Sequence, residues 1–534
     1  MGVLLDWCDG LLSSVKVHRH MSNAIKDGQT HPMIQRLASI GVGGPRHSQQ
    51  KLLDLMHTCG LQSLLVQPPG LYDHLLLPSS WISLLHSHYP TRFYNLLGAD
   101  QGKLRSFWAG FLSRTANTSW AQGHPLLRGK SVEDLVTMVP LTVHEDAAPC
   151  TKTSNVLCKS FSGLLGEGDE KLTKFLCHST VKKVGGHDGS VAWGPLLQDL
   201  QALGSGEVDG KPVARDQDGT LWCFCRLLAK ADEECHCVEW GLPHYNAPNE
   251  MCCQCLANRT DRPYTDLRAT AAWRTTCPLP PEAYFARLPA PTHPLLASPL
   301  ATKWMCYPDL MHMVDCKGVA AWVFGGVLHY LLREPSLGHN MQERLDAVNQ
   351  ERLVWYAQHK KVIKLPRILM ASCVGSDGWA DLCGPAFKAA NTRAAARFFK
   401  HLAARHLQGD VVVNRHVRLV TSSLAAFFEC LYSAGMFLTP EELATLQQHT
   451  LAFGVSYQRL RNLAQAQKVL AWPIRPKVHK MQHVPELASH LNPVHAQCYL
   501  EESFMGTTAK VWRQSMVGNY SKGIHLHRVD KLQK

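Results

Sequence analysis

Asp309 and His312, in Pro308-Asp309-Leu310-Met311-His312, form a D-x-x-H pair just ahead of a long apolar segment, Val319 to Leu332. A carboxylate and an imidazole beside a stretch that must be buried are expensive unless each has a partner. They suit a helix cap, with Asp309 accepting backbone N–H groups and His312 in the first turn. The other reading is a pair of groups held at a site. Two more acids, Asp146 and Asp232, follow the β-prone runs Val136–Val143 and Thr220–Leu228. In α/β sheets functional groups gather just beyond strand ends. Glu501 and Glu502 stand near the start of a last helical stretch, Tyr499–Trp512. Three carboxylates on two strand ends and one late helix suit two-metal phosphoryl chemistry. Hard Mg²⁺ or Mn²⁺ ions take oxygen ligands, and a pair of them can hold both the attacking and the leaving oxygen.

Softer ligands cluster separately. Cys223, Cys225, Cys235, Cys237, Cys252, Cys253 and Cys255 fall within 33 positions. Cys252-x-x-Cys255 has the spacing of a zinc knuckle, and Cys235 and Cys237 supply a second pair for a structural Zn²⁺. The bland alternative is a set of free buried thiols. Further on, Ala471–His483 carries Arg475, Lys477, His479, Lys480 and His483. His479 and His483 share one face of a helix. This basic stretch is either a solvated surface or a face that meets phosphates.

The elements that must position these groups follow from periodicity. The Val319–Leu332 segment is too short for a bilayer, which needs about 18 to 20 apolar residues, so it predicts a helix buried on most sides. Strands over Val136–Val143, Val156–Leu165 and Thr220–Leu228, with a helix over Val191–Leu203 between, predict an α/β layer. Helical spacing over Asn340–Gln358, Ala386–Gln408, Leu419–Phe437 and Glu441–Val469 predicts a large α-helical block. Thr439-Pro440-Glu441-Glu442 opens its last helix as a capping box. Residues 1–130 are mixed and mainly helical (Gln49–His57, Ser80–His88, Asp100–Ser113), with no helix-turn-helix and no zinc-finger spacing. The expected organisation is therefore 1–130, an α/β core over 131–338 with its Cys-rich segment at 223–255, a helical insertion over 339–490, and a terminal acidic helix with a basic tail over 491–534.

Composition narrows the class. The chain has 534 residues, 45% of them hydrophobic and 18% charged, which indicates a globular rather than a disordered protein. Its formal net charge of +12, with 29 histidines besides, fits a polyanionic partner, although the charge is spread along the chain. Nineteen cysteines without a regular framework do not suit a secreted disulfide scaffold. No signal pattern opens the chain. These features predict an intracellular protein with no membrane partner and no small-molecule cofactor.

Several segments resemble, in order, those of DDE-type cut-and-paste transposases, of the CACTA and hAT type and of a transposase-like family abundant in algal genomes. Pro140-Leu141-Thr142-Val143-His144-Glu145-Asp146-Ala147-Ala148-Pro149 is similar to the segment that carries the first acid. Leu228–Asp232, with Gly241-Leu242-Pro243-His244 and the cysteines after it, is similar to the second. Pro308–His312 resembles the Cys/Asp-x-x-His motif. Pro476–His483 resembles a K-x-H-x-x-x-H run ahead of the last acid, and Glu502-Ser503-Phe504-Met505-Gly506 resembles the third-acid segment.

The resemblance implies an RNase H-like fold: a mixed sheet flanked by helices, with an all-α insertion before the last acidic helix. It implies a nuclear DNA strand transferase or nuclease, able to form homo-oligomers, in which Asp146, Asp232 and Glu502 hold Mg²⁺ or Mn²⁺. Asp309 and His312 would stand beside that site, and Arg475, Lys477, His479, Lys480 and His483 would meet the DNA backbone. Three departures stand out. Glu145 replaces a glycine and would crowd Asp146, Ala231 replaces a glycine before Asp232, and Ser503 replaces an aspartate after Glu502. They keep open a catalytically inactive RNase H-like scaffold that binds nucleic acid or protein. The cysteines alone would support a zinc-stabilised interaction protein.

Overall fold

The strand that carries Asp146 runs further than its apolar stretch suggests. In a computed structural model, which describes residues 22, 75–149, 154–168, 172–181, 189–244, 246–247, 249–290 and 292–514, strand β1 spans Met138–Pro149. It pairs antiparallel with β2 (Asn155–Gly163) from Leu141↔Gly163 to Pro149↔Asn155, so the polar residues His144, Glu145 and Asp146 lie inside the strand rather than beyond its end. β2 pairs antiparallel with β3 (Phe175–Val181). On its other edge β1 runs parallel to β4 (Cys223–Lys230), and that pairing stops at His144↔Lys230. The result is a four-stranded mixed sheet in the order β3-β2-β1-β4, with a separate two-residue ribbon at Glu207–Val208 and Lys211–Pro212.

Both faces of the sheet are covered. Helices α1 (Pro78–His88), α2 (Gln101–Thr115) and α3 (Trp193–Ala202) contribute Trp81, Trp108, Phe111 and Trp193 to a core shared with Val139, Leu141 and Phe224 of the strands. On the opposite face Val156, Cys158 and Leu176 meet Phe504, Met505 and Ala509 of the last helix. The period of two along a strand sets this division. Asp146 is registered against Cys158 and so shares the last helix's face, whereas Glu145, registered against Lys159, points the other way.

A short helix, α4 (Glu233–Val238), follows β4. Farther along, α5 (Val319–Leu331) has every residue from Val319 to Leu328 buried, as its composition requires. The hydrophobic face left by such a helix must be covered all round. Phe324 stacks on Phe399 at 4.1 Å, and a Cβ at Gly325 would collide with the backbone of Ala380 and Asp381. The helices around it are α6 (Met341–Gln358), α7 (Ala389–His406), α8 (Val412–Ser433) and α9 (Pro440–Ala466), which together form a second core. The Thr439–Glu442 capping box is present. α8 begins seven residues before the periodic stretch that predicted it at Leu419. Two final helices, α10 (Pro476–Met481) and α11 (Tyr499–Gln514), return the chain to the sheet. The helix expected over Gln49–His57 and the basic tail after Gln514 lie outside the described residues. Among the described residues no helix is long and apolar enough to cross a membrane.

Candidate active site

Asp146 and Asp232 come together through strand register. The last parallel pair is His144↔Lys230, and each aspartate stands two residues further along its own strand direction. Asp232 is also the N-cap of α4, its Oδ1 accepting from Cys235 N at 2.7 Å. Asp146 is buried, with its Oδ1 accepting from Ala147 N at 2.6 Å. Glu502 arrives on α11, which packs over the same sheet face.

The D-x-x-H pair does both things its sequence allowed. Asp309 Oδ1 accepts from Met311 N at 3.1 Å and from Cys498 N at 2.9 Å, and Oδ2 accepts from His312 N at 3.3 Å. It thus caps a π-helical turn, Met311–Asp315, and ties that turn to the residue just before α11. Single π-turns of this kind concentrate at functional sites. The same Oδ2 lies 2.6 Å from His312 Nδ1, while His312 Nε2 lies 3.4 Å from Glu502 Oε1. Asp309 is therefore a buried positioning group, already committed to four hydrogen bonds, and His312 is the member of the pair that faces the acids.

Burial and neighbouring carboxylates act on these groups in one direction and His312 in the other. Burial raises the Asp146 carboxyl well above its ordinary value, and the charges of Asp232 and Glu502 raise it further. Burial also raises Glu502; His312 opposes this, and Asp309 and Asp232 add to it. For His312, burial favours the neutral ring, but the hydrogen bond and charge of Asp309, with help from Glu502 and Asp232, carry it up to about 9. The three acids stand open: their oxygens are not all within 4.8 Å of one another, a closeness that among the described residues only two Cys/His-containing groups reach.

Neighbouring acids have other tasks. Glu145 does not crowd Asp146. On the opposite face it pairs with Lys159 at 2.5 Å and accepts from Trp193 Nε1 at 2.9 Å and Trp240 Nε1 at 2.7 Å. Glu501 is likewise turned inward, 2.6 Å from Lys174 and 3.3 Å from Lys230. Its carboxyl, which burial alone would raise, is held far below the ordinary range by those two lysines.

The basic stretch is placed differently from its expected role. His479 and His483 are each 1% exposed and turn toward Cys252 and Cys255, where no phosphate backbone can reach them. Lys480 is buried in an ion pair with Glu233. Arg475 pairs with Asp377, and Lys477 Nζ donates to the His312 carbonyl at 2.7 Å and the Lys317 carbonyl at 3.3 Å. A cavity of about 360 Å³ opens between these groups and Asp232, with Glu233, Glu234, His312, Lys317 and Trp322 also lining it. Lys317, a singleton in the sequence with no motif around it, gave no signal there.

Cys235 and Cys237 do not join Cys252 and Cys255. Cys235 N caps onto Asp232, and Cys237 Sγ reaches Glu233 and Pro243. Among the described residues two groups could hold a metal ion: Cys252, Cys255, His479 and His483, all buried, and Cys277, His483 and Glu486. No protein-family model matches the chain, and no curated protein matches it.

Proposed function

We propose that the acidic cleft is a two-metal phosphoryl-transfer site acting on DNA, in an RNase H-like chain of transposase descent. The observation that carries this reading is the meeting of Asp146, Asp232 and Glu502. They come from two adjacent parallel strands and a helix on the same sheet face; burial raises the carboxyls of Asp146 and Glu502, and the charge of Asp232 adds to both. The donor set is all carboxylate oxygen, which suits hard Mg²⁺ or Mn²⁺ and not a soft metal. Such ions, when bound, activate an attacking water or 3′-hydroxyl and stabilise the leaving oxygen. Asp146, Asp232 and Glu502 would hold them. His312, cationic at neutral pH and fixed by Asp309, presents Nε2 beside Glu502 and would donate from there to a phosphate oxygen. Lys317 and Lys477 add positive charge at the rim of the cavity, where a phosphate enters. The removal of Glu145 from the cleft takes away the strongest reason to regard the chain as a silenced relic.

The test is nicking or joining of DNA by the full chain in Mg²⁺ or Mn²⁺, compared with Asp232→Asn. Asparagine caps a helix as well as aspartate does, so α4 should persist, but an amide is a poor ligand for a hard cation. Metal-dependent cleavage that disappears in the variant, with DNA binding kept, supports the proposal. Salt-sensitive DNA binding without cleavage in either ion, and indifferent to Asp232→Asn, would make the chain a binding scaffold instead.

A further inference from the structure

The Cys252–Cys255 loop meets α10 and the turn after it, which carries His483, in a buried arrangement that the phosphoryl-transfer reading does not use. His479 Nε2 and His483 Nε2 face one another at 3.2 Å. Cys252 Sγ lies 3.5 Å from His483 Nε2, and Cys255 Sγ lies 3.4 Å from His479 Nε2. Zinc–nitrogen bonds of about 2.0–2.1 Å and zinc–sulfur bonds of about 2.3 Å put the corners of a tetrahedron about 3.3 Å apart for two nitrogens and about 3.6 Å apart for nitrogen and sulfur. The observed edges match those of an S₂N₂ tetrahedron.

The surroundings are also those of a thiolate site. Gln254 N donates to Cys252 Sγ and Ala257 N to Cys255 Sγ, each at 3.4 Å, so both sulfurs receive a backbone N–H from two residues on. Arg287 Nη1 donates to the Cys252 and Cys255 carbonyls at 3.0 and 3.3 Å and holds the loop in shape. His483 Nδ1 is 3.3 Å from Cys277 Sγ and 3.6 Å from Glu486 Oε2, and Cys277 Sγ in turn reaches Glu486 at 2.6 Å. A ligating histidine whose other nitrogen faces a carboxylate is the usual outer support of a metal site. The Trp273 ring lies 4.5 Å from the His479 ring and 5.2 Å from that of His483, sealing one side.

We propose that Cys252 Sγ, Cys255 Sγ, His479 Nε2 and His483 Nε2 bind one Zn²⁺ in a closed, four-coordinate structural site. Binding displaces the two thiol protons, and both histidines bind as neutral rings through Nε2. The site joins segments more than 220 residues apart in sequence. It also fixes α10, whose Lys480 pairs with Glu233 beside Asp232 and whose Lys477 holds the carbonyl of His312. The zinc site therefore anchors the basic side of the acidic cleft without taking part in its chemistry. A second group, Cys277, His483 and Glu486, shares His483 and competes for that role. It offers three ligands and leaves both other thiols buried without a partner metal, so the four-ligand set is the one assigned.

The experiment is zinc analysis of the purified full chain, with X-ray absorption at the zinc edge. The result is independent of whether the chain cleaves DNA. The expected result is about one zinc per chain, with about two sulfur neighbours near 2.3 Å and two nitrogens near 2.0–2.1 Å. Cys277→Ser should keep the metal, and Cys255→Ala should lose it. If Cys255→Ala fails to fold, the absorption spectrum of the unchanged protein still decides. Absence of zinc after reconstitution under reducing conditions, a shell of only nitrogen and oxygen, or loss of zinc in Cys277→Ser would each overturn the assignment.

Discussion

Replacing Glu501 by glutamine should cost far more stability than replacing Glu502, its neighbour on α11. The Glu501 side chain is 1% exposed, with Lys174 Nζ 2.6 Å and Lys230 Nζ 3.3 Å from it. Glutamine keeps an acceptor oxygen but removes the charge, leaving two ammonium groups buried near each other. Breaking a buried ion pair from one side typically costs about 3–5 kcal/mol. The alternative relief is for one lysine to surrender its proton. Moving a lysine from about 10.4 to neutrality at pH 7 costs about 1.4 kcal/mol per unit, or roughly 4–5 kcal/mol. Both routes give the same order. Glu502 is 46% exposed, so Glu502→Gln should stay within about 0.5 kcal/mol of the parent.

The assay is urea unfolding followed by tryptophan fluorescence at pH 7, with the midpoint shift read at unchanged slope. The pH dependence has a definite sign. Glu501 is a carboxyl depressed by its lysines, so its contribution is fully present above the unfolded value of about 4.3 and is lost as pH falls through the folded one. The gap between parent and Glu501→Gln should therefore be full at pH 7 and shrink below about pH 4. Under conditions where both variants are folded, Glu502→Gln should lose metal-dependent cleavage and Glu501→Gln should retain it. The reasoning is refuted if Glu501→Gln unfolds within about 0.5 kcal/mol of the parent, or if Glu502→Gln falls as far as Glu501→Gln.

Three further outcomes follow from the same charges. His312, raised to about 9, should titrate there by NMR, and Asp309→Asn should bring the midpoint down; its stabilisation, on the order of 2–3 kcal/mol, is complete below about 6.5 and lost as pH rises through 9. Asp315, whose carboxyl burial raises to about 8 while Tyr499 donates to it at 2.6 Å, binds a proton in the folded state that the unfolded chain releases between about pH 4 and 8. Stability should fall by a few kcal/mol across that range, and Asp315→Asn, which keeps an acceptor for Tyr499, should flatten the decline in denaturant midpoints. Glu145→Gly should unfold at lower urea by about 3 kcal/mol or more, because Lys159 loses its buried partner, and should give no gain in cleavage.

Much of the site was legible because strand and helix periods decide local geometry. Two β-prone runs, each followed by an acid, required only a parallel pairing to bring Asp146 and Asp232 together. The pairing at His144↔Lys230 supplies it. The end of β1 was not legible, since His144-Glu145-Asp146 lacks apolar alternation; its length comes from β2, which stays paired as far as Asn155. The proposed zinc ligands show the same limit at longer range. The Cys252-x-x-Cys255 and His479-x-x-x-His483 spacings were both visible, but nothing local joins them. Cys235 and Cys237 were nearer in sequence and completed the same chemistry on paper. Which pair meets Cys252 and Cys255 is decided by the packing of His479 and His483 on the 252–277 loop, a contact between segments that periodicity treats independently. Basic character misled for a related reason: Lys480 and the two histidines are polar by composition yet buried, each with a specific partner.

Among the described residues, the other buried acids share one property that Asp146 lacks. Glu145 has Lys159, Asp199 has Ser79, Asp266 has Arg268, Asp309 has His312, Asp315 has Tyr499 and Glu501 has Lys174. Each is matched by a side chain that donates to it, as a buried carboxylate requires. Asp146 has only the backbone N–H of Ala147, and the charged side chains that act on it most strongly include two more carboxylates. Adjacent pairs sharpen the contrast. Glu145 and Asp146 are separated by the alternation of a strand, and Glu501 and Glu502 by the rotation of a helix, so in each pair one acid enters a lysine-paired interior and the other faces the cleft. The interior acids are thus each met by a donor side chain, while Asp146, Asp232 and Glu502 gather where the parallel pairing of two strands stops. A divalent ion bound there would supply the partner that folding alone withholds from Asp146, which is why the cleft, and not the more numerous buried acids, is where metal dependence should be sought.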